Sequence, residues 1–279
     1  MRHRPGKKNF KGKGKGSGRP TSRFKGRKAN EARPIPAKEV DIEGMALNKF
    51  VAHCGVASRR QSAELIRKGM VKVNEELITE PGHKLQKGDK VSYDGKVIQP
   101  ESRNIYLLLN KPKDTITTLK DERNRRTVMD LIGPEIKERI FPVGRLDRAT
   151  TGLLLLTNDG ELAQRLSHPS YKIKKIYHVV LDRPLHREDF AKIEAGLELE
   201  DGKAMVDGLS YVNGKPKTEV GIEIHIGRNR IVRRIFEHLE YKVKRLDRVF
   251  YGGLTKKDIP RGKYRSLSEK ELLMLRHFV

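Results

Sequence analysis

"GRLDRATTGLLLLTNDG", residues 144–160, contains the pattern on which the fold depends. Its four consecutive leucines follow Gly152 and end at an Asn-Asp-Gly turn signal, which predicts a buried strand. Just before this strand, Asp147 stands between Arg145 and Arg148. A carboxylate beside guanidinium groups stays ionised and can act as a nucleophile in glycosyl chemistry. A surface turn with a local salt bridge explains the same residues, so both interpretations stay open at this point.

Strand-like and helix-like segments fill the rest of residues 102–279. The predicted strands are "NIYLLLNKP", "KIKKIYHVVL", "TEVGIEIHI" and "KVKRLDRVFYGGL". The predicted helices are "DGELAQRLSHP", "REDFAKIEAGL" and "NRIVRRIFEHLEY". Because the segments lack a regular βαβ alternation, they predict a mixed, mainly antiparallel α+β domain. The polar segment "NKPKDTITTLKDERNRR", residues 110–126, is expected to be a mobile basic loop.

Residues 43–101 predict a small separate domain. Leu47 and Phe50 have helical spacing, and Ser58 with Gln61 three residues later forms a capping box for a second helix. The segments "MVKVNEELI" and "KVSYDGKVI" alternate like short strands, the second with an Asp-Gly turn. The second helix is rich in Lys and Arg, which indicates either a solvated face or a surface for a polyanion.

The composition favours a nucleic acid as the partner. The 279 residues carry a net charge of +24 with a single cysteine, which excludes an internal disulfide. Residues 1–40 alone hold 14 Lys and Arg against two Glu, and residues 1–42 are expected to be a disordered basic tail. This tail acts either as a solubilising segment or as a tether to RNA phosphates. No apolar run reaches the roughly 18 residues needed to span a bilayer, so a membrane partner is not expected.

Residues 44–98 resemble the αL RNA-binding motif, which was first named for a small-subunit ribosomal protein. In that family, two helices present basic residues to structured RNA while short strands cover their back. The resemblance implies RNA contacts by Asn48, Lys49, Ser58, Arg59, Arg60 and Lys68.

The segment 144–160 resembles the signature of the pseudouridine synthases that act on ribosomal RNA, the RsuA and RluB type. The segments "KIYHVV", "IGRNRIVRRIFEHLEY" and "LDRVFYGGL" follow in the order typical of that family. The resemblance implies that Asp147 is the essential aspartate and that Arg145 fills the place of a flipped base. It further implies that Tyr177 packs on that base, that Arg233 is the basic partner of the aspartate and that Leu246 helps to form the base pocket.

Pattern alone favours simpler interpretations for several of these residues. An aromatic such as Tyr177 on an alternating strand is more often a packed core residue. Arg233 falls on the polar side of its helix, which is typical of a solvated face, and Arg145 fits a phosphate contact or a salt bridge. Ile231 departs from the family pattern, because many relatives have Gln or Glu at this position. A second Arg-Leu-Asp triplet lacks the flanking glycines, and its Asp247 is interpreted as structural.

The resemblance implies isomerisation of specific uridines in ribosomal RNA to pseudouridine, with the large subunit favoured. Such a reaction needs no cofactor, and the histidines lack the spacing of metal ligands, so no metal is expected. The expected partner is ribosomal RNA or a ribosomal subunit precursor. The protein itself is expected to be a monomer in the cytoplasm. Two alternatives remain, a non-catalytic ribosome-binding or assembly factor and an enzyme that modifies transfer or messenger RNA on the same scaffold.

Overall fold

The computed structural model describes residues 34–36 and 40–277. Its N-terminal elements are β1 (Ile35–Pro36), α1 (Leu47–His53), α2 (Arg59–Arg67), β2 (Val71–Val73), β3 (Glu76–Leu77), β4 (Val91–Tyr93) and β5 (Lys96–Val97). There follow β6 (Arg103–Asn104), β7 (Tyr106–Lys111), β8 (Phe141–Pro142), β9 (Thr151–Thr157), α3 (Gly160–Ser167), β10 (Lys175–Leu181), α4 (Arg187–Ala195), β11 (Leu197–Leu199) and β12 (Gly202–Ala204). The chain continues with β13 (Gly208–Tyr211), β14 (Glu219–Ile224), α5 (Ile231–His238), β15 (Val243–Tyr251), β16 (Leu254–Thr255), β17 (Tyr264–Ser266) and α6 (Glu269–His277). Two 3-10 turns lie at Met129–Leu131 and Pro169–Tyr171.

The small domain pairs α1 and α2 with an antiparallel sheet of order β3-β2-β4-β5. Leu47, Phe50 and Ile66 are among the apolar residues of its core. The predicted capping box is confirmed, since the Ser58 hydroxyl accepts a hydrogen bond from the Gln61 amide and the Gln61 side chain bonds back to the Ser58 amide. The helices and strands thus form where the sequence patterns predict them.

The large domain is built on a nine-stranded sheet. Its main path runs β13-β14-β10-β15-β9-β7-β17, while β16 pairs with β15 and β8 pairs with β9. All of its pairings are antiparallel except the one between β9 and β15, which is parallel. The expectation of a mixed, mainly antiparallel α+β fold is confirmed.

The leucine run of β9 is buried on both of its faces. Leu154 and Leu156 belong to one apolar cluster, whereas Leu153 and Leu155 belong to another. Because successive side chains of a strand point to opposite faces, a strand covered on both sides has no polar positions. This burial explains the continuous leucines and holds the start of the strand in a fixed place.

Gly152 permits the parallel contact of β9 with β15. It pairs with Arg248 at φ +106°, and a Cβ there would lie 2.3 Å from the Arg248 carbonyl oxygen. A side chain would therefore force the two strands apart. The close neighbour that requires glycine at position 152 is thus the chain itself.

The last residues of the expected disordered tail, residues 1–42, are packed against the rest of the protein. Strand β1 pairs antiparallel with β6, and Ile35 packs against a core cluster of the large domain. Val40 and Ile42 pack on the core of the small domain. The rest of the expected tail, residues 1–33 and 37–39, lies outside the described residues.

Candidate active site

Asp147 lies in the loop just before β9, and its backbone is held from below by a buried lysine. The Lys111 ammonium donates to the carbonyl oxygens of Asp147 (3.1 Å) and Thr150 (2.8 Å). The Thr150 amide also donates to the Asp147 carbonyl at 3.0 Å. Burial lowers the pKa of Lys111 to about 8, although the neighbouring carboxylates of Asp147 and Asp114 act against this shift. The loop that carries Asp147 is therefore tied to the end of β7.

Thr117 supplies a second tie to this loop. Its hydroxyl donates to the Leu146 carbonyl oxygen at 2.8 Å and accepts from the Leu146 amide at 3.3 Å. Thr117 is buried, and so is Thr115. The expectation of a mobile loop over 110–126 is therefore wrong around these residues, because the segment packs behind the Asp147 loop. Lys111 and Thr117 were missed as site residues, since their hydrogen-bond acceptors are backbone atoms distant in sequence.

Arg233 projects from α5 towards Asp147. Its Nε lies 3.9 Å from the Asp147 Oδ2, and its Nη1 donates to the Val243 carbonyl oxygen at 3.1 Å. Arg233 is only 8% exposed. Burial lowers the pKa of its guanidinium, with a further contribution from Arg230, while Asp147 opposes the shift. The solvated-face interpretation is thus wrong for Arg233, because the sheet covers this side of the helix.

A cavity of about 170 Å³ opens beside Asp147, far more than the roughly 15 Å³ that one water needs. Tyr177 on β10 and Leu246 on β15 line it and are both buried. Arg145 lines it from an exposed position. The five predicted residues of the large domain thus lie around one site, four of them lining the cavity and Arg233 beside Asp147. Tyr177 is buried, as a core residue would be, and also faces the cavity.

The cavity has a strongly cationic lining. Within the described part of the chain, Asp147 is its one acidic residue, and the basic ones are Arg145, Lys175, Arg228, Arg230 and Arg248. Such a lining attracts an anionic ligand.

A hairpin formed by β11 and β12 fixes the loop that enters α5. Its Asp201 carboxylate accepts from Arg234 at 2.6 Å and from Arg228 at 3.0 Å. Hydrogen bonds from Arg234 hold the pKa of Asp201 well below its usual range, with Arg228 contributing. Arg230, at the start of the helix, adopts a left-handed backbone with φ 47°. The hairpin therefore holds the cavity wall at 224–232 in place.

The residues expected to bind RNA in the small domain do not all remain available. Arg59, Arg60 and Lys68 are exposed on or next to α2. The Ser58 hydroxyl is engaged in the capping box. The Lys49 ammonium lies 3.4 Å from the Glu161 carboxylate on α3 of the large domain. Asn48 is partly buried.

Two structural features are absent from the described residues. None of their helices is long and apolar enough to cross a membrane. They also contain no group of three or more His, Cys, Asp or Glu arranged to hold a metal ion.

The fold and the site define a two-domain protein, a small basic helix–sheet module followed by a sheet domain with an aspartate–arginine pair beside a cationic cavity. A model of the S4 domain matches residues 45–91, and a model of RNA pseudouridylate synthase matches residues 105–238. A Bacillus subtilis protein named ribosomal large subunit pseudouridine synthase B is 41% identical, over 82% of this chain and 95% of its own length.

Other relatives agree with these matches. An RNA pseudouridine synthase of Aquifex aeolicus is 42% identical, over 82% of this chain and 92% of its own length. The crystal structure of a pseudouridylate synthase superposes with a TM-score of 0.60 at 27% identity, covering 82% of this chain and 99% of that one. The chain belongs to the RNA pseudouridylate synthase family.

Proposed function

We propose that this protein isomerises uridine to pseudouridine in ribosomal RNA, and that this RNA is the RNA of the large ribosomal subunit. The single observation that carries the proposal is the Asp147 carboxylate, placed in the cavity lining with Tyr177 and 3.9 Å from Arg233. The name of the Bacillus subtilis relative supports the large subunit as the source of the RNA.

The proposed reaction conserves every atom of the substrate. The bond between N1 of uracil and C1′ of ribose breaks, and a bond between C5 and C1′ forms. One proton leaves C5 and one is gained at N1. Asp147 acts in the first step, in which its carboxylate opens the glycosidic bond by covalent or electrostatic assistance. Because reactant and product have the same composition, the reaction requires no cofactor.

The other cavity residues receive roles from their positions. A base must leave its stack to reach this site, and the exposed Arg145 stands where it can fill the vacated place. Tyr177 stacks on the extruded base, and its hydroxyl assists loss of the C5 proton. Leu246 closes the apolar side of the pocket. Arg233 keeps the Asp147 carboxylate charged and oriented.

We assign RNA docking chiefly to Arg59, Arg60 and Lys68, which are exposed among the six residues expected to bind RNA. Asn48, Lys49 and Ser58 stay in the proposed surface, although Ser58 caps a helix and Lys49 contacts Glu161. We also propose that the protein acts as a monomer, and that it meets its ribosomal RNA substrate in the cytoplasm.

The test is a map of pseudouridine in ribosomal RNA taken from a strain that lacks this gene. Free RNA and immature subunits are incubated with wild type, Asp147→Asn or Asp114→Asn. Asp114 is a matched control, because it is an exposed carboxylate paired with Arg148 at 3.2 Å. We expect one or a few new sites with wild type and Asp114→Asn, and none with Asp147→Asn, at equal RNA affinity.

The outcomes separate the alternatives. If wild type forms no new pseudouridine on free RNA or on immature subunits, the result favours a non-catalytic assembly factor. Sites found only when transfer or messenger RNA is supplied would replace ribosomal RNA as the substrate. Sites formed equally well by Asp147→Asn would remove the proposed role of Asp147.

A further inference from the structure

Arg248 on β15 is a buried cation with an unused hydrogen-bond donor. The residue is 3% exposed. Its Nε donates to the Leu153 carbonyl oxygen at 2.7 Å, and its guanidinium carbon lies 4.5 Å from the centre of the Tyr251 ring. Its Nη2 is buried and lacks a hydrogen-bond partner among the described residues. An unsatisfied buried donor is costly, and a charged one more so.

The sheet register places Arg248 among the residues that line the cavity. Arg248 pairs with Tyr177 of β10 on one side and with Gly152 of β9 on the other. Tyr177, Arg248 and Asp147 all line the same cavity. The guanidinium is therefore fixed between the strand of the proposed stacking tyrosine and the strand that follows the proposed catalytic loop.

Neighbouring cations use their donors within the protein or lie nearer to the solvent. The Lys175 ammonium donates to the His225 carbonyl oxygen at 2.6 Å. Arg228 bonds to Asp201, and Arg230 bonds to Glu237 at 3.1 Å through a side chain that is 45% exposed. The exposed cations suit backbone phosphates near the cavity mouth, whereas Arg248 lies deep, where the base itself enters.

We propose that Arg248 Nη2 donates a hydrogen bond to a carbonyl oxygen of the extruded uracil and selects uracil over cytosine. Cytosine carries an amino group at position 4, where uracil carries a carbonyl, and a fixed donor repels that amino group. The inference rests on the proposed function, because it concerns the base that this reaction turns.

The same donor serves both ends of the reaction. Exchanging N1 for C5 at the sugar turns the ring about the line through N3 and C6, which exchanges the positions of the O2 and O4 carbonyls. A donor held still by Leu153 and Tyr251 therefore meets a carbonyl oxygen before and after the turn. In cytosine, one of the two orientations would place the amino group against the donor.

The test combines variants with substrate analogues in single-turnover kinetics. Wild type, Arg248→Met, Arg248→Lys and Arg245→Met are assayed on RNA with uridine, 2-thiouridine or 4-thiouridine at the mapped site, because sulfur is a weak acceptor. Arg245→Met is the matched control, since Arg245 lies on the same strand but is exposed. Thermal melting of each variant establishes that it folds.

We expect a thio group to slow wild type and Arg245→Met about 10- to 100-fold, the loss of one charged hydrogen bond. Arg248→Met should slow the uridine reaction by a similar factor and show little further loss with the analogues. An Arg248→Met variant with the same thio penalty as wild type would overturn the inference, as would a rise in KM alone, which indicates a phosphate contact.

Two further outcomes are decisive. Should Arg248→Met fail to fold, wild type decides alone, and equal rates on uridine and on both thio analogues would overturn the proposal. Failure of wild type on unmodified uridine RNA at every site would instead refute the proposed function, and is thereby distinguished from failure of the Arg248 inference.

Discussion

The sequence contains the triplet Arg-Leu-Asp twice, and its two aspartates, Asp147 and Asp247, have different surroundings. Asp247 accepts hydrogen bonds from Arg261 (3.0 Å) and Thr151 (2.8 Å), and also from Lys256. Although burial raises the pKa of the Asp247 carboxyl, the hydrogen bonds from Arg261, Lys256 and Thr151 lower it below its usual range. The Asp147 carboxylate instead faces a cavity, with the Arg233 guanidinium 3.9 Å away. The interpretation of Asp247 as structural agrees with these contacts, whereas Asp147 is the carboxylate to which we assign the reaction.

We predict that Asp247→Asn lowers stability by about 1–3 kcal/mol, because it leaves two cations without their shared carboxylate. Asp147→Asn should not lower it, since a cavity-facing carboxylate contributes little to folding. Urea unfolding of both variants at pH 7 measures the difference. Equal midpoints for Asp247→Asn and wild type would contradict the structural role.

Arg233 allows a prediction that separates positioning from packing. We expect Arg233→Met to lower kcat about 100-fold or more, because the cation beside Asp147 is lost. Arg233→Lys should restore part of this loss. A variant that loses only thermal stability, with unchanged kcat at a permissive temperature, would limit Arg233 to packing.

At the scale of the element, hydrophobic runs and capping signals predicted most of the long strands and helices. The strands β7, β9, β10, β14 and β15 all lie within predicted segments. The hairpin of β11 and β12 and the strand β17 were not predicted, because three residues are too few for a period to emerge. Helix α6 was also missed, although Ser268 and Glu271 have the spacing of a capping box.

That capping box gives a prediction about pH. The Glu271 carboxylate accepts from the Ser268 amide at 2.8 Å and from Arg265 at 2.7 Å. Burial alone would raise its pKa, but the Arg265 and Ser268 bonds lower it to about 2. The stability that this carboxylate contributes is therefore present above its ordinary pKa of 4.5 and is lost as the pH falls towards 2.

We expect Glu271→Gln to lower stability at pH 6 and to flatten the fall of stability between pH 4.5 and 2. Glu269→Gln is the control, because Glu269 lies exposed in the first turn of the same helix. Thermal melts across this pH range make the comparison. A wild-type slope retained in Glu271→Gln would show that other carboxylates cause it.

At the scale of the whole molecule, we distinguish the residues that contribute affinity for RNA from those that select the uridine. The net charge of +24 is unevenly spread, since residues 1–33 hold 13 Lys and Arg against one Glu. Electrostatic contacts of this kind add affinity and little sequence choice. We therefore assign selection of the uridine to the cavity and to the exposed surface of the small domain.

We predict that removing residues 1–33 weakens RNA affinity and makes its dependence on salt shallower, because fewer counterions are released on binding. This deletion retains β1, which pairs with β6. The rate at saturating RNA should stay the same. Replacing Arg59 and Arg60 by Ala in the full chain should also weaken binding without changing that rate. Affinity measured against salt concentration tests both, and unchanged affinity after the deletion would refute the tether.

The sequence by itself determined the two-domain order, the buried strand after Asp147, the capped helix at Ser58 and the α+β class, since each depends on local spacing. Only the tertiary structure decided the parallel pairing of β9 with β15, and it placed Arg233 beside Asp147 where the helical pattern alone favoured a solvated face. It alone also revealed the buried, unused donor of Arg248. The physical reason is that periodicity records which side of an element is covered, whereas contacts between distant segments depend on strand register and on close approaches such as that at Gly152.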